Sequence, residues 1–208
     1  MAAIDASIYE KFIIESADGS KSVDVSRGVV TFAYYEDIFS PTVTAKVIIT
    51  NDGSTIEGPD GNMTSLYNGL PIRGGERVML KIAGNSETNP GMDFSEDVEK
   101  YLYVSSVKNV VQDTNSETFV LELVPRETIT NETSRVGKKF TASTSISDSV
   151  KDIVKQYLKT DRLKETNVDK TQNPYGFLGN LRKPFTILTW LASKSVPGEV
   201  SGKDATAG

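Results

Sequence analysis

The chain has 208 residues, enough for one large domain or two modest ones, with 23 Lys and Arg against 28 Asp and Glu, a net charge of −5. That balance argues against a nucleic-acid groove or an anionic membrane surface as the main partner. Cysteine and histidine are both absent, which removes disulfides, thiolate nucleophiles, thiolate metal sites and the commonest general base together. Residues 1–7 have neither the basic nor the apolar region of a signal peptide, and no apolar run approaches a membrane span. The expectation is a soluble chain made in a cytoplasm, without membrane insertion.

Strands dominate the first part. Phe12-Ile13-Ile14 form a short apolar run before Asp18-Gly19, a hairpin signal, and Val23 to Val25 pair back. Arg27-Gly28 break the chain ahead of a strand from Val29 to Tyr35. Thr42 to Thr50 alternates best: Val43, Ala45, Val47 and Ile49 share one face, Thr42, Thr44, Lys46 and Thr50 mostly the other. Val78, Leu80 and Ile82 alternate with Met79 and Lys81. Tyr101 to Val111 and Glu117 to Val124 make a long hairpin across Asp113 to Ser116. Six or more antiparallel strands with one polar face predict a small barrel or sandwich. Two long connections interrupt them. Residues 52–75, rich in Gly, Asn, Asp and Pro, have room for a short helix near Met63 to Tyr67. Residues 84–97 carry Asp93, Glu96 and Asp97 and read equally as disorder or as a partner contact.

The pattern changes after Pro125. Glu127 to Lys139 reads as polar linker, and helical spacing then places Ile146, Val150, Ile153, Val154, Tyr157 and Leu158 on one face. Ser145 and Asp148 fit a capping box. A second helix starts at Pro184, carries Phe185, Ile187, Leu188, Trp190 and Leu191, and stops before Pro197-Gly198. Its apolar residues occupy more than one stripe, so it should be covered on most sides, with nothing after Leu191 to do it. The tail 201–208 is small and polar. The expected class is α+β: an antiparallel β-barrel domain over 1–126, then the start of a helical or α+β domain over 127–208, incomplete as it stands.

Candidate chemistry is sparse. Glu36-Asp37 and Glu96-Asp97 pair carboxylates, but neighbours in a strand point to opposite faces, so neither pair can act as acid and base across a cleft. Asp52, Asp60 and Asn62 fail the calcium-loop spacing and read as turn residues. Gly74-Gly75 precedes a strand, so it is a tight strand-entry turn and not a phosphate cradle. The sequons at Asn62 and Asn131 are chance matches. Tyr34, Tyr35 and Phe39 could stack bases, but no basic residue lies between Gly28 and Pro41, and a core or interface role fits better. No catalytic, cofactor or metal residue is predicted. A β-barrel ligand-binding module and, behind it, a carboxylate-based glycosidase are the alternatives to a structural role.

The order of segments carries a resemblance. Ser22 to Val30 runs into Phe32-Ala33-Tyr34-Tyr35-Glu36-Asp37-Ile38-Phe39-Ser40-Pro41, then Thr42 to Asn51, then Gly69-Leu70-Pro71-Ile72-Arg73-Gly74-Gly75-Glu76-Arg77-Val78. Later come the helix from Ser145 to Leu158, Asn180-Leu181-Arg182-Lys183-Pro184-Phe185, and Trp190-Leu191-Ala192. This order resembles the baseplate central hub proteins of contractile-tailed phages, cyanophage-like myoviruses in particular, a superfamily shared with the spike-base proteins of type VI secretion. The resemblance implies a tail-tube-like first domain and a homotrimer in the baseplate of a virion assembled in the host cytoplasm. It further implies contacts with the central spike, tail tube and baseplate wedge proteins, and a channel that passes DNA without specific binding. Any lytic activity would belong to a separate spike partner. In that family each subunit carries two tube-like domains, and this chain has room for one. Tyr34, Tyr35, Asp37, Phe39, Thr42, Thr44, Lys46 and Trp190 are the residues expected at assembly contacts.

Overall fold

The computed structural model describes residues 7–52, 56–58, 61–70, 72–85, 88, 91–113, 116–161 and 168–198. The chain divides into two units, Met1–Arg126 and Glu127–Gly208.

Alternation builds the first unit. Its strands are β1 (Ile8–Glu15), β2 (Ser22–Asp24), β3 (Val29–Tyr35), β4 (Thr44–Asn51), β5 (Ile56–Glu57), β6 (Met63–Thr64), β7 (Arg77–Ala83), β8 (Met92–Asp93), β9 (Leu102–Asp113) and β10 (Ser116–Pro125), with a short helix α1 (Leu66–Gly69) after β6. Eight of them form one antiparallel sheet in the order β2-β1-β7-β9-β10-β4-β3, with β8 on β7; β5 and β6 pair separately. No pairing joins β2 to β3 among the described residues, so the barrel expected from sequence is here an open sheet folded over its own core. The fold lies at β7 and β9, which share only Arg77↔Tyr103 and Val78↔Leu102. Inward residues from both halves, among them Phe12, Ile14, Val47, Ile49, Leu80, Val104, Phe119 and Leu121, then meet in one cluster, each fully buried.

Specific polar contacts hold the turn between β1 and β2 and the described parts of residues 56–76. Asp18 holds the β1–β2 turn by accepting from Ser16 Oγ at 2.6 Å and Ser20 N at 3.0 Å, and these bonds, the Ser16 hydroxyl first, lower its pKa to about 2. Lys21 Nζ donates to the carbonyls of Glu57 (3.2 Å) and Gly69 (3.3 Å), tying residues 56–70 to that hairpin. The helix expected near Met63 to Tyr67 starts later, at Leu66, because Ser65 Oγ caps it by accepting from Asn68 N at 3.3 Å while Met63–Thr64 pair as β6. Gly74 and Gly75 take φ of +113° and +91°, a turn open to glycine. Its exposed amides converge on the buried Glu76 carboxylate, which accepts from Arg73 N at 2.7 Å and from Gly74 N at 2.9 Å. The turn therefore binds its own carboxylate.

The second unit contains α2 (Arg126–Thr133), β11 (Lys139–Phe140), α3 (Ile146–Ile153), β12 (Phe177–Leu178) and α4 (Pro184–Ala192). The polar linker expected from Glu127 is therefore helical up to Thr133. What holds α2 is side-chain hydrogen bonding, which an apolar pattern does not reveal. Buried Asn131 accepts the Phe185 N–H at 2.8 Å near the start of α4, and Glu132 pairs with Lys183. Asn131 is thus a buried structural amide. Helix α3 starts at the expected cap, Ser145 Oγ accepting from Asp148 N at 3.1 Å, and widens into a π turn over Val154–Leu158 that ends at Lys159 with φ +54°. Val136, Phe140, Ile146, Ile153, Ile187 and Leu191 form its core.

Candidate assembly surfaces

The loop after β3 is a built turn. Asp37 Oδ1 accepts the Phe39 N–H at 2.9 Å, the Asp37 carbonyl accepts the Ser40 N–H at 2.9 Å, and Ser40 Oγ donates to the Thr42 carbonyl at 2.7 Å. These bonds, with Pro41 behind them, leave Ile38 93% and Phe39 90% exposed, beside an open concavity of about 540 Å³ between Glu36 and Val43. Two adjacent large apolar side chains at the tip of a hydrogen-bonded turn make a preorganised contact point.

The sheet β9-β10-β4-β3 gathers several expected residues. Tyr35 lies opposite Thr44 and Ala33 opposite Lys46, so Tyr35, Thr44 and Lys46 share the outward face. Across the ladder Lys46 meets Glu122, and Glu122 meets Ser106. Glu122 accepts from Lys108 Nζ and from Ser106 Oγ, each at 2.6 Å; these bonds, Lys108 first, and the charge of Lys46 hold its carboxyl below the usual range. Tyr34, in contrast, faces inward. Its ring lies 5.9 Å from that of Phe94, and burial, then the charge of Glu36, raises its phenol pKa. The partly buried Thr42 belongs to the turn.

Both margins of this four-stranded sheet are open. Among the described residues, strand β3 pairs only with β4, and β9 beyond Tyr103 pairs only with β10, apart from the bonds that Val104 makes with Gly75 and Glu76. Unpaired strand margins of this length are templates for another chain.

At the distal end of β9 and β10 lies a polar pocket of about 280 Å³, lined by Ser65, Asn68, Gln112, Asp113, Ser116 and Glu117 among others. Glu117 is 1% exposed; it accepts from Leu66 N at 2.6 Å, Asn51 Nδ2 at 3.3 Å and Gln112 Nε2 at 3.4 Å. None of the pocket's lining residues is basic.

Trp190 is in the second unit, 38% exposed, with Tyr175 and Phe177 set edge-on at centroid distances of 5.5 Å. Phe177 stacks in turn on Phe140 at 4.4 Å. The sequence pattern placed the cover for Trp190 on a surface other than residues 193–208, and part of it comes from Tyr175 and Phe177, which precede the helix.

Of the acid pairs, Asp37 caps its turn, and Asp97 Oδ1 accepts the Glu99 N–H at 3.0 Å in a short helical turn over Val98–Lys100. Asp60 lies outside the described residues, as do Pro71 and the tail 201–208. Among the described residues no cluster of three or more metal-ligating side chains occurs, and no helix is long and apolar enough to cross a membrane. Sequence reasoning missed Ile38, whose exposure depends on turn geometry. It also missed Glu117, whose burial depends on Leu66, 51 residues away.

No protein-family model and no curated protein matches the sequence. Among solved structures, the 43 kDa tail protein of prophage MuSo2 from Shewanella oneidensis superposes with a TM-score of 0.53 at 11% identity over 91% of this chain. A tail protein from Neisseria meningitidis MC58 gives 0.49 at 12% identity, covering 88% of this chain and 44% of that one. The Escherichia coli c3393 protein gives 0.41 at 10% identity, covering 93% of this chain and 41% of its own; it is a component of the type VI secretion system with structural similarity to the T4 tail proteins gp27 and gp5. This chain spans 48% of the length of the Shewanella protein. At such identity the likeness is one of fold, and the fold is that of a phage tail protein.

Proposed function

We propose that the chain is a non-enzymatic structural subunit of a phage tail baseplate hub, joining the tail tube to the central spike. In this reading 1–126 is a tail-tube-like domain that completes a barrel only with its neighbours. The segment 127–208 is the first part of a further α+β domain. Three copies surround a channel for DNA, in the baseplate of a virion assembled in the host cytoplasm, and contact the central spike, tail tube and wedge proteins. The observation that carries the reading is the four-stranded sheet with two open margins, in a chain with a tail-protein fold. Mutual neutralisation of Lys108 and Glu122 supports an outward face that DNA passes without sticking. Electron cryomicroscopy of the intact particle tests it: density for this chain on the tail axis at the tube–spike junction is the expected result. Its absence from the axis overturns the proposal.

A further inference from the structure

The turn between β12 and α4 is strained where another residue would relax it. The Arg182 N–H donates to the Gly179 carbonyl at 3.0 Å, closing a turn whose two central residues, Asn180 and Leu181, take φ of +50° and +55°. Asparagine tolerates that region and glycine favours it, whereas leucine enters it against its own Cβ. Leu181 is nevertheless 68% exposed, so burial does not offset the conformation. A residue held this way without a packing gain points to a contact made elsewhere. A patch surrounds it. Lys139 lies opposite Leu178, and Phe140 opposite Phe177. The two phenyl rings stack at 4.4 Å on the core side, so Lys139 and Leu178 face outward, and Leu178 is 60% exposed. A Cβ on Gly137, two residues before Lys139, would meet Leu181 Cδ2 at 3.3 Å, which sets Leu181 along the same face. The adjacent lysines Lys138 and Lys183 already hold Asp152, at 2.7 Å, and Glu132. Exposed Lys139 and Arg182 have no carboxylate partner among the described residues. The wider balance agrees: residues 127–208 hold 13 of the 23 Lys and Arg but only 9 of the 28 Asp and Glu.

We propose that this face docks a separate protein that offers an apolar socket rimmed by carboxylates. Leu178 and Leu181 fill the socket, and Lys139 and Arg182 meet the rim. Two unpaired cations beside two exposed leucines are complementary to an acidic surface with an apolar centre. Duplex DNA would use the cations and leave the leucines in water. A bilayer surface is met by a long helix with many basic and apolar side chains, whereas this face is a fixed turn with two of each. The closed turn presents Leu181 already ordered, which lowers the entropic cost of docking. The proposal rests on the structural-subunit reading, which supplies the particle where such a partner stands.

The strained turn lets docking be separated from folding. Leu181→Gly removes the side chain and relieves the left-handed backbone together, so the purified full chain should melt at the parent temperature or up to about 3 °C above it. A lowered melting temperature would show that Leu181 serves its own unit and would overturn the proposal. In the intact particle, Leu178→p-benzoylphenylalanine should cross-link on irradiation to a different polypeptide, at a segment carrying Asp or Glu. Adding Lys139→Glu with Arg182→Glu, or Leu181→Gly, should lower that yield about threefold or more. A cross-link to another copy of this chain overturns the proposal, as does one to a segment without acids or one that none of these substitutions weakens. So does flotation of the purified chain with phosphatidylglycerol vesicles that Leu181→Gly abolishes, which would assign the face to a membrane. A particle that contains the chain but gives no cross-link overturns the docking and leaves the subunit reading standing. A particle that lacks the chain overturns both.

Discussion

The two units reach their cores by different means. In the first, a continuous cluster draws on β1, β4, β7, β9 and β10, and along β4 its members alternate with more exposed residues. In the second, a smaller cluster is held in place by directional polar contacts: Asn131 on α4, Ser145 on α3, and Ser147 Oγ accepting the Thr171 N–H at 3.3 Å. The first unit is stabilised by apolar area, roughly 25 cal/mol for each Å² removed from water. The second depends on a few bonds worth about 1 kcal/mol each. Mutational sensitivity should therefore differ in kind, broad in one unit and confined to named side chains in the other.

The largest expected effect is at Val47, fully buried on β4. Val47→Asp places an unpaired charge in the first core and should cost about 4 kcal/mol or more, with loss of the folded state in thermal denaturation. An unchanged melting temperature would remove β4 from the core and erase the contrast. Next is Glu76→Ala, which leaves the amides of Arg73 and Gly74 without an acceptor. A cost of about 2–3 kcal/mol in urea denaturation is expected, because a buried unsatisfied group costs more than a bond contributes. A cost below the level of ordinary surface substitutions would show that water replaces the carboxylate. It would also show that the first unit needs no polar device.

Asn131→Ala sharpens the other side of the contrast, with an expected loss of about 1–2 kcal/mol from the broken α2–α4 bond. Trp190, the only tryptophan, reads it, since its fluorescence reports the second unit's aromatic cluster. A neutral outcome would mean that the apolar cluster alone holds the unit. The smallest effect is pH dependence from Glu122. Its folded pKa is depressed, chiefly by Lys108 and Ser106. The stabilisation it contributes is therefore complete above the ordinary glutamate value and lost as pH falls through the lower folded value. Comparing the chain with Glu122→Gln from pH 6 to pH 3 should show the two stability curves converging at the acidic end.

Strands were legible in the sequence because side-chain period and burial coincide there: Ala45, Val47 and Ile49 are buried, and Thr44, Lys46 and Thr50 are exposed. Helix α3 announced itself through its cap and its apolar face. Helix α2 did not, since its buried side is an asparagine whose partner lies 54 residues away. The same physics limited the view of the assembly surfaces. Thr44 and Lys46 could be placed on one face from alternation alone, whereas Tyr35 joins them only through the β3–β4 register. Which strand margins stay unpaired depends on long-range register, and nothing local in β9 marks the point where β7 leaves it.

That departure has a kinetic consequence. Among the described residues, strand β9 pairs on both sides as far as Val104 and with β10 alone from Ser105 to Asp113. In an antiparallel strand, successive amides point to alternate sides, so about half of those in the distal stretch face solvent in a single copy. On either side of the bulge between Lys108 and Val111, hydrogen–deuterium exchange along β9 should then run in a two-residue rhythm, protected amides toward β10 and fast ones toward water. The rhythm should fade toward Leu102, where both sides are occupied. A neighbouring strand arriving on the open side would slow only the fast set, turning the rhythm into uniform protection without moving a single atom of the fold.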